Sequence, residues 1–201
     1  MEYIIGLILI IVIVSLISNS NKKTDKPIIE EKNETPKPLF VLTEEFREIL
    51  DLLNNTNESI FITGKAGTGK SSLLKHFIKN TNKKLVILAP TGIAALNVSG
   101  QTIRSFFRFP PSIITPNKIE PDYVRAELFK NLQMVIIDEI SMVRADLMNG
   151  IDIALRKNRN RLDEPFGGFQ MVFIGDLFQL PPVVMSLIEI IFKTYGGQYF
   201  F

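Results

Sequence analysis

The sequence contains no cysteine and no tryptophan, and its excess of positive charge is small. Without cysteine the chain has no disulfide bond, no cysteine–zinc site and no thiol nucleophile, and it suits a reducing compartment. The net charge of +2 does not by itself favour nucleic-acid binding, because such a surface would have to be local. A length of 201 residues predicts one globular domain.

The longest apolar run lies at the N-terminus, where residues 4–17 are apolar except for Ser15. It is shorter than the roughly 20 residues of a typical membrane-spanning helix, although Met1 and Tyr3 extend it. Lysines follow the run, so the positive-inside rule places its C-terminal side in the cytosol. We expect residues 1–18 to form a hydrophobic membrane-anchoring helix, with the N-terminus outside and an ATPase domain in the cytoplasm. A segment buried in the core is the alternative.

The next stretch, residues 19–40, mixes lysine, glutamate, asparagine and proline with few apolar side chains. Such a composition cannot form a packed core, so we expect a disordered, flexible linker. Residues 41–201 then form the globular part. It begins with a helical pattern in which Phe46, Ile49 and Leu53 share one face, and Thr43 is its predicted N-cap.

A phosphate-binding loop stands near the start of the globular part, where the sequence matches the pattern G-x-x-x-x-G-K-[ST]. A predicted strand precedes it and a predicted helix follows it, which is the setting that this loop requires. In such loops backbone N–H groups surround the phosphates, the lysine reaches the β- and γ-phosphates, and the hydroxyl binds Mg²⁺. The predicted nucleotide-binding residues are Gly64, Ala66, Gly67, Thr68, Gly69, Lys70, Ser71 and Ser72.

Three short apolar runs follow the P-loop, at residues 84–89, 134–138 and 171–175. Nearly continuous runs of valine, isoleucine and leucine are typical of parallel strands that are covered on both faces. Helical stretches separate the runs, so the sequence predicts an α/β fold with a doubly wound parallel sheet. Polar residues end every run, and we expect them to meet at one edge of the sheet as a single site.

An acidic pair, Asp138-Glu139, ends the second of these runs. Asp138 would hold Mg²⁺, and Glu139 would orient and deprotonate the attacking water. A solvated acidic pair that ends a strand is the alternative. The NKKL stretch at residues 82–85 lacks the aspartate of the Asn-Lys-x-Asp motif that reads guanine, which disfavours a GTPase. The adjacent acids favour hydrolysis over the transfer chemistry of a metabolite kinase.

Four blocks of sequence resemble, in family order, helicase motifs I, Ia/Ib, II and III of the Pif-type DNA helicases, which belong to superfamily one and are related to RecD. The blocks are GKAGTGKSS, LAPTGIAALNVSGQTIRSFF, VIIDEISMV and GGFQMVFIGDLFQLPPV. The resemblance implies the first RecA-like motor domain of an ATP-dependent helicase that moves 5′ to 3′ along single-stranded DNA and serves DNA repair and recombination.

The same resemblance implies a role for each residue of the site. Glu139 and Lys70 would be catalytic, and Gln179 would bind the nucleotide and sense its γ-phosphate. ATP and Mg²⁺ would be bound through the P-loop, with Ser71 and Asp138 as the metal ligands. The partner would be single-stranded DNA or a 5′-tailed duplex.

The second block also predicts a strand-binding surface on physical grounds. Hydroxyls and glycine amides can hold phosphates without reading bases, and cations that alternate with aromatic rings suit a single strand. The predicted DNA-binding residues are Pro90, Thr91, Gly92, Thr102, Arg104 and Phe106, with Phe107 and Arg108 in the same stretch. Burial of Phe106 and Phe107 in the core is the alternative. A basic cluster at residues 156–161 is interpreted as a solvated helix end.

The chain departs from the family pattern at three places. Phe46 stands where the family has an adenine-reading glutamine, which predicts relaxed base selectivity, and Arg104 replaces a histidine. The sequence stops soon after motif III, so we expect a truncated motor whose second domain, or a neighbouring subunit, must supply arginine fingers. We expect it to bind ATP but to act weakly alone. The alternatives are a membrane-anchored, ATP-responsive DNA tether and an unrelated P-loop signalling ATPase.

Overall fold

A single parallel sheet organises the chain, and the computed structural model describes residues 10–13, 42–176 and 179. The order of the strands across the sheet is β1-β2-β6-β5-β3-β4, and every neighbouring pair is parallel. The strands are β1 (Ile10–Ile13), β2 (Ile60–Thr63), β3 (Leu85–Ala89), β4 (Gln101–Thr102), β5 (Met134–Ile137) and β6 (Gln170–Gly175).

Helices connect the strands, as parallel pairing requires. They are α1 (Glu44–Asn55), α2 (Lys70–Asn80), α3 (Gly92–Asn97), α4 (Ile103–Phe107), α5 (Ala126–Asn131) and α6 (Ala145–Arg159). Short 3₁₀ turns cover Pro116–Lys118, Tyr123–Arg125, Ile140–Met142 and Pro165–Gly168. The predicted α/β fold with a doubly wound parallel sheet is confirmed.

The two faces of the sheet carry separate hydrophobic cores, because successive side chains of a strand point to opposite faces. Val135 and Ile137 of β5 belong to the core that contains residues of α4, α5 and α6. Met134 and Ile136 belong to the core that contains residues of α1 and α2. Strands β5 and β6 are buried along their whole length, which explains their continuous apolar sequences.

Helix α1 begins as predicted, since the Thr43 hydroxyl accepts a hydrogen bond from the Phe46 N–H at 3.3 Å. Its buried side chains are those of Phe46, Ile49 and Leu53, the face that the helical spacing predicts. This helix therefore packs beside the P-loop helix α2, whose Leu73 and Phe77 lie in the same core.

The expected N-terminal helix is wrong for the part of it that the structure describes. Ile10–Ile13 form strand β1, which pairs with Ile60–Thr63 at the edge of the sheet. Four successive β-branched residues favour the extended backbone, and the edge of β2 offers unpaired N–H and C=O groups. The other residues of 1–18, and the expected linker at 19–40, lie outside the described residues. Over residues 10–13, 42–176 and 179, no helix is both long enough and apolar enough to cross a membrane.

Candidate functional site

The P-loop connects β2 to α2 and takes its shape from two glycines. Gly67 and Gly69 have φ angles of 82° and 88°, in the left-handed region that glycine enters without strain. Lys70 begins α2, and its Nζ donates to the carbonyl oxygens of Gly64 and, at 2.9 Å, of Lys65. The ammonium group therefore lies within the loop, and one of its three N–H donors remains for an incoming anion.

The hydroxyl groups of the loop lie where a bound phosphate would reach them. Ser71 and Ser72 are exposed in the first turn of α2, where the helix dipole favours negative charge. The Thr68 hydroxyl donates to the Lys65 carbonyl at 2.9 Å and so stabilises the turn before the helix. Ala66 is exposed as well. The predicted nucleotide-binding residues thus form one continuous loop around the Lys70 ammonium.

Asp138 extends from the end of β5 into the same region. Its backbone N–H donates to Leu88 at 2.9 Å, and the residue is only 9% exposed. Burial raises the pKa of the Asp138 carboxyl, and the Glu139 charge raises it further, while a hydrogen bond from the Glu139 backbone and the Lys70 charge lower it. Lys70, Asp138 and Glu139 therefore lie close enough for their charges to act on one another.

Glu139 adopts a backbone conformation that is unusual for a side chain of its size. Its φ and ψ of 52° and 46° are left-handed, which costs on the order of 1–3 kcal/mol for a residue other than glycine. The turn Ile140–Met142 follows directly and lies against the end of β6. A Cβ built on Gly175 would lie 2.8 Å from Cγ2 of Ile140, so only glycine allows this approach. The ends of β5 and β6 are therefore held together behind the acidic pair.

Gln179 lies just beyond β6. Its backbone N–H donates to the Asp176 carbonyl at 3.1 Å, and its side chain is exposed. Asp176 itself is 6% exposed. The predicted contact of Gln179 with a γ-phosphate stays a prediction.

A second concave surface lies beside α3 and β4. Gly92 and Thr102 line an open groove of about 490 Å³ together with Ile93, Ala95, Leu96, Gly100, Gln101 and Ser105. The hydroxyls of Thr91 and Thr102 accept hydrogen bonds from the N–H groups of Ala94 and Ser105, at 3.2 Å and 3.1 Å. Because these caps use only oxygen lone pairs, both hydroxyl hydrogens are left to donate to an anion. Pro90 immediately precedes this pair of caps.

Two of the predicted DNA-binding residues take other roles. Phe106 is 2% exposed, and its ring lies 5.7 Å from that of Phe129 inside the core, so it has no free face for a base. The core alternative is therefore correct for Phe106. Arg104 donates through Nη1 to the carbonyl oxygens of Pro110 and Ser112, and so holds the segment that follows α4.

The residues that form this arrangement match a known protein family. The family model described as PIF1-like helicase matches residues 41–191, which contain the P-loop, the acidic pair and the groove. The chain belongs to the PIF1-like helicase family.

Individual relatives agree with this PIF1-like assignment. The ATP-dependent DNA helicase PIF1 of Saccharomyces cerevisiae (strain YJM789) is 38% identical over 151 residues, which are 71% of this chain and 17% of that protein. The ATP-dependent DNA helicase PIF1 of Rattus norvegicus is 36% identical over 163 residues, 78% of this chain and 25% of that protein. The chain thus spans a quarter or less of the length of these two relatives.

Solved PIF1 structures share the fold. The crystal structure of Pif1 helicase from Bacteroides in complex with ADP-AlF3 and ssDNA has a TM-score of 0.74 and 43% sequence identity, and covers 80% of this chain and 38% of that one. The crystal structure of Pif1 helicase from Candida albicans has a TM-score of 0.65 and 35% identity, and covers 81% of this chain and 36% of that one.

The basic cluster of this PIF1-like domain is engaged within the chain. Each of its four cations donates to a carboxylate or a backbone carbonyl. The acceptors are Asp152 for Arg156, Ile119 for Lys157, Gly168 for Arg159 and Glu164 for Arg161. These contacts support the interpretation of residues 156–161 as a helix end.

One buried acid escaped the sequence-based reasoning. Asp146 is 1% exposed in the first turn of α6, and it forms a two-pronged ion pair with Arg144 at 2.9 Å and 2.8 Å. Its burial and its second partner, the Ile114 N–H, become evident only when residues distant in sequence come together. The local signal was an Arg-x-Asp spacing at a helix start, which is too common to select it.

Proposed function

We propose that the chain is the first motor domain of an ATP-dependent 5′–3′ DNA helicase that serves genome maintenance. One observation carries this proposal: in a PIF1-like domain, Lys70 lies within the loop that follows β2 and the buried Asp138 follows β5, at the same edge of a parallel sheet. An intact acidic pair favours an enzyme over a passive DNA tether. Family membership favours a helicase over an unrelated signalling ATPase.

The nucleotide would be held by its phosphates in the loop that runs from Gly64 to Ser72. The Lys70 ammonium is held by two loop carbonyls, so it needs little reorganisation to face the β- and γ-phosphates. The residues also fit a divalent cation. The exposed Ser71 hydroxyl and the Asp138 carboxylate are both oxygen ligands, and a cation would stabilise the charged form that burial of Asp138 disfavours. Bound Mg²⁺ would supply charge neutralisation on the phosphate oxygens.

Hydrolysis would be carried out by Glu139. Two observations support this role: Glu139 immediately follows the buried Asp138 at the end of β5, and its backbone is left-handed. The carboxylate would orient a water molecule and accept its proton as the water attacks the γ-phosphorus, while the bond from that phosphorus to the β–γ bridging oxygen breaks and ADP leaves. We propose Gln179 as the residue beyond β6 that senses whether the γ-phosphate is present.

The groove beside α3 would hold the backbone of single-stranded DNA. Thr102 lines the groove and Thr91 directly precedes its first residue; their helix-capping bonds use the hydroxyl oxygens only, so the hydrogens would donate to phosphate oxygens in contacts that read no sequence. Ile93 and Leu96 are 77% and 80% exposed along the groove and offer apolar surface to unstacked bases. The printed description of the Bacteroides structure names single-stranded DNA as its ligand, which supports the same class of partner here.

Efficient turnover would need a further cation on the γ-phosphate. An arginine supplied across the cleft is worth roughly 10³ to 10⁵ in rate in P-loop enzymes. We propose that a second motor domain or a neighbouring subunit provides it. Ile10–Ile13 pair with β2, and this pairing disfavours membrane anchoring through residues 1–18.

The test is phosphate release by the purified full chain, with and without single-stranded DNA. We expect DNA to increase the rate, and Glu139→Gln to abolish the increase while leaving the affinity for ATP within a few-fold of wild type. A well-folded chain that binds neither ATP nor single-stranded DNA would contradict the proposal.

A further inference from the structure

Segment 110–114, which follows α4, is held on one side by an arginine. Arg104 lies on α4, and its Nη1 donates to the carbonyl oxygens of Pro110 and Ser112, the latter at 3.2 Å. Two acceptors on one guanidinium nitrogen fix the segment relative to the helix. One nitrogen of the Arg104 guanidinium is therefore engaged within the chain.

The other side of segment 110–114 is held by α6. The Ile114 N–H donates to Oδ2 of Asp146 at 3.4 Å, and that carboxylate is paired with Arg144. The Ile114 side chain is 3% exposed and fills a space that Gly150 leaves open, since a Cβ built on Gly150 would lie 2.9 Å from Cγ2 of Ile114. Segment 110–114 thus bridges α4 and α6.

The charged groups of this bridge also act on one another. Burial lowers the pKa of Arg104, and the Arg144 charge lowers it further, whereas the Asp146 charge raises it. Arg104 therefore lies within electrostatic reach of the Arg144–Asp146 pair. In a partly buried setting such interactions are stronger than in water.

The two helices that segment 110–114 joins lead to the two proposed binding sites of this domain, the groove and the nucleotide site. Helix α4 begins after Thr102, a lining residue of the groove. Helix α6 begins a few residues after Glu139, and the intervening turn Ile140–Met142 packs against Gly175. Continuous contacts therefore connect the groove to the acidic pair of the nucleotide site.

We propose that Arg104 and Asp146 are positioning residues that couple strand binding in the groove to nucleotide binding at the P-loop. This inference rests on the proposed function. Arg104 acts through segment 110–114 and Asp146, and not as a phosphate contact. A strand that shifts α4 moves the carbonyls that Arg104 holds, and the shift reaches α6 through Ile114 and Asp146.

The experiment measures the Kd for a labelled thymidine oligonucleotide twice, without and with a non-hydrolysable ATP analogue and Mg²⁺. The ratio of the first Kd to the second is the coupling factor. The measurement uses the full chain and needs no turnover. Because coupling is reciprocal, the oligonucleotide must change the affinity for the analogue by the same factor, which provides an internal check. We expect a wild-type factor that differs from one by about 5-fold or more in either direction, within the usual range for coupled sites.

Arg104→Met removes both hydrogen bonds and the charge but keeps the length of the side chain. We expect its coupling factor to approach one, while each ligand alone binds within about threefold of wild type, a change of less than ~1 kcal/mol. Arg104→Lys keeps a cation that can donate to one of the two carbonyls, so it should recover part of the coupling. A merely structural role would lower the melting temperature without this selective change.

Arg159→Met is the matched control, because Arg159 also has a pKa lowered by burial and donates to a backbone carbonyl, but at the far end of α6. Its coupling factor should equal that of wild type. A wild-type factor of one, or an unchanged factor in Arg104→Met, would overturn the inference. If Arg104→Met loses affinity for the oligonucleotide but keeps the wild-type coupling factor, the inference is also overturned, and Arg104 is instead a direct DNA contact. If wild type binds neither ligand alone, the proposed function fails instead.

Discussion

The ring of Phe46 lies directly against Gly69 of the phosphate-binding loop. A Cβ built on Gly69 would stand 3.1 Å from Cζ of Phe46. Phe46 is 7% exposed and belongs to the same core as Leu73 and Leu74 of α2, so the ring supports the loop from the side of the protein core. Where the family pattern has a glutamine, this chain therefore presents hydrocarbon.

Weak discrimination between nucleotide bases follows from this contact. A phenyl ring has no donor and no acceptor, so Phe46 cannot form the paired hydrogen bonds that a glutamine offers to adenine. We expect the Kd values for ATP and GTP to agree within about tenfold, or ~1.4 kcal/mol. Competition against a fluorescent nucleotide measures both. A hundredfold preference for ATP would show that another group reads the base.

The second prediction concerns the phosphate and metal contacts. Lys70→Ala removes the ammonium group, and a hydrogen bond to a charged group is worth about 1.5–3 kcal/mol, so the Kd for ATP should rise roughly ten- to hundredfold. Asp138→Asn should instead reduce the dependence of nucleotide affinity on Mg²⁺. The exposed Lys75 on the same helix is the control, and Lys75→Ala should bind as wild type does. Wild-type affinity in both site variants would disprove the assignment.

The pKa of Asp138 gives a third prediction, about stability without metal. Burial raises this pKa, so the folded chain binds the proton more tightly than the unfolded chain does. The protonated carboxyl therefore stabilises the fold in acid, and that contribution is lost as the pH rises from the usual Asp pKa through the raised one. In EDTA, the melting temperature of wild type should fall relative to Asp138→Asn over this interval.

Magnesium supplies the control for that measurement. A bound divalent cation compensates the buried carboxylate, so excess Mg²⁺ should narrow the difference between wild type and Asp138→Asn at neutral pH. Identical pH profiles for the two proteins in EDTA would mean that Asp138 is not desolvated in the folded chain.

Several parts of this fold and site follow from sequence patterns for reasons that the structure makes clear. β5 and β6 were predictable because strands covered on both faces must be apolar at every position. The P-loop was predictable because its glycines are required by their left-handed backbones. Both signals are local, so they need no knowledge of distant partners.

Other features depend on contacts between residues far apart in sequence. An isoleucine–valine run is compatible with a helix or a strand. Pairing with the edge of β2 makes Ile10–Ile13 a strand. Phe106 and Phe107 differ by one step around α4, and only the packing of that helix shows that Phe106 is the fully buried one. Arg104 could not be distinguished from a DNA contact until segment 110–114 was placed beside it.

The fourth prediction addresses the N-terminal segment. Pairing of Ile10 with Ile60 and of Ile13 with Thr63 is incompatible with insertion of the same residues into a bilayer. Sodium carbonate should therefore release the full chain from membranes, and deletion of residues 1–18 should lower the melting temperature because the edge of β2 loses its partner. Retention in the carbonate-washed membrane fraction would restore the anchor hypothesis and contradict the β1 pairing.

The last prediction concerns the rate of ATP hydrolysis. Glu139 can orient water and Lys70 can neutralise phosphate charge, but both act from the P-loop side of the nucleotide. A supplied arginine finger is worth roughly 10³ to 10⁵ in rate in P-loop enzymes, so we expect turnover to rise by that order when a second motor domain or a neighbouring subunit is supplied. Unwinding of a 5′-tailed duplex should likewise require a second strand-binding domain, because translocation needs two grips on the strand that alternate with the nucleotide state.

Phosphate release at increasing protein concentration distinguishes the possible sources of the missing charge. A specific rate that stays low and constant fits a monomer that lacks an arginine finger. A specific rate that rises with concentration, together with an oligomer in light scattering, assigns the arginine to a neighbouring subunit. DNA affinity should be weak and should fall only shallowly with added salt, since a single groove contacts few phosphates. Rapid, DNA-stimulated turnover by a monodisperse monomer would show that the chain completes its own active site.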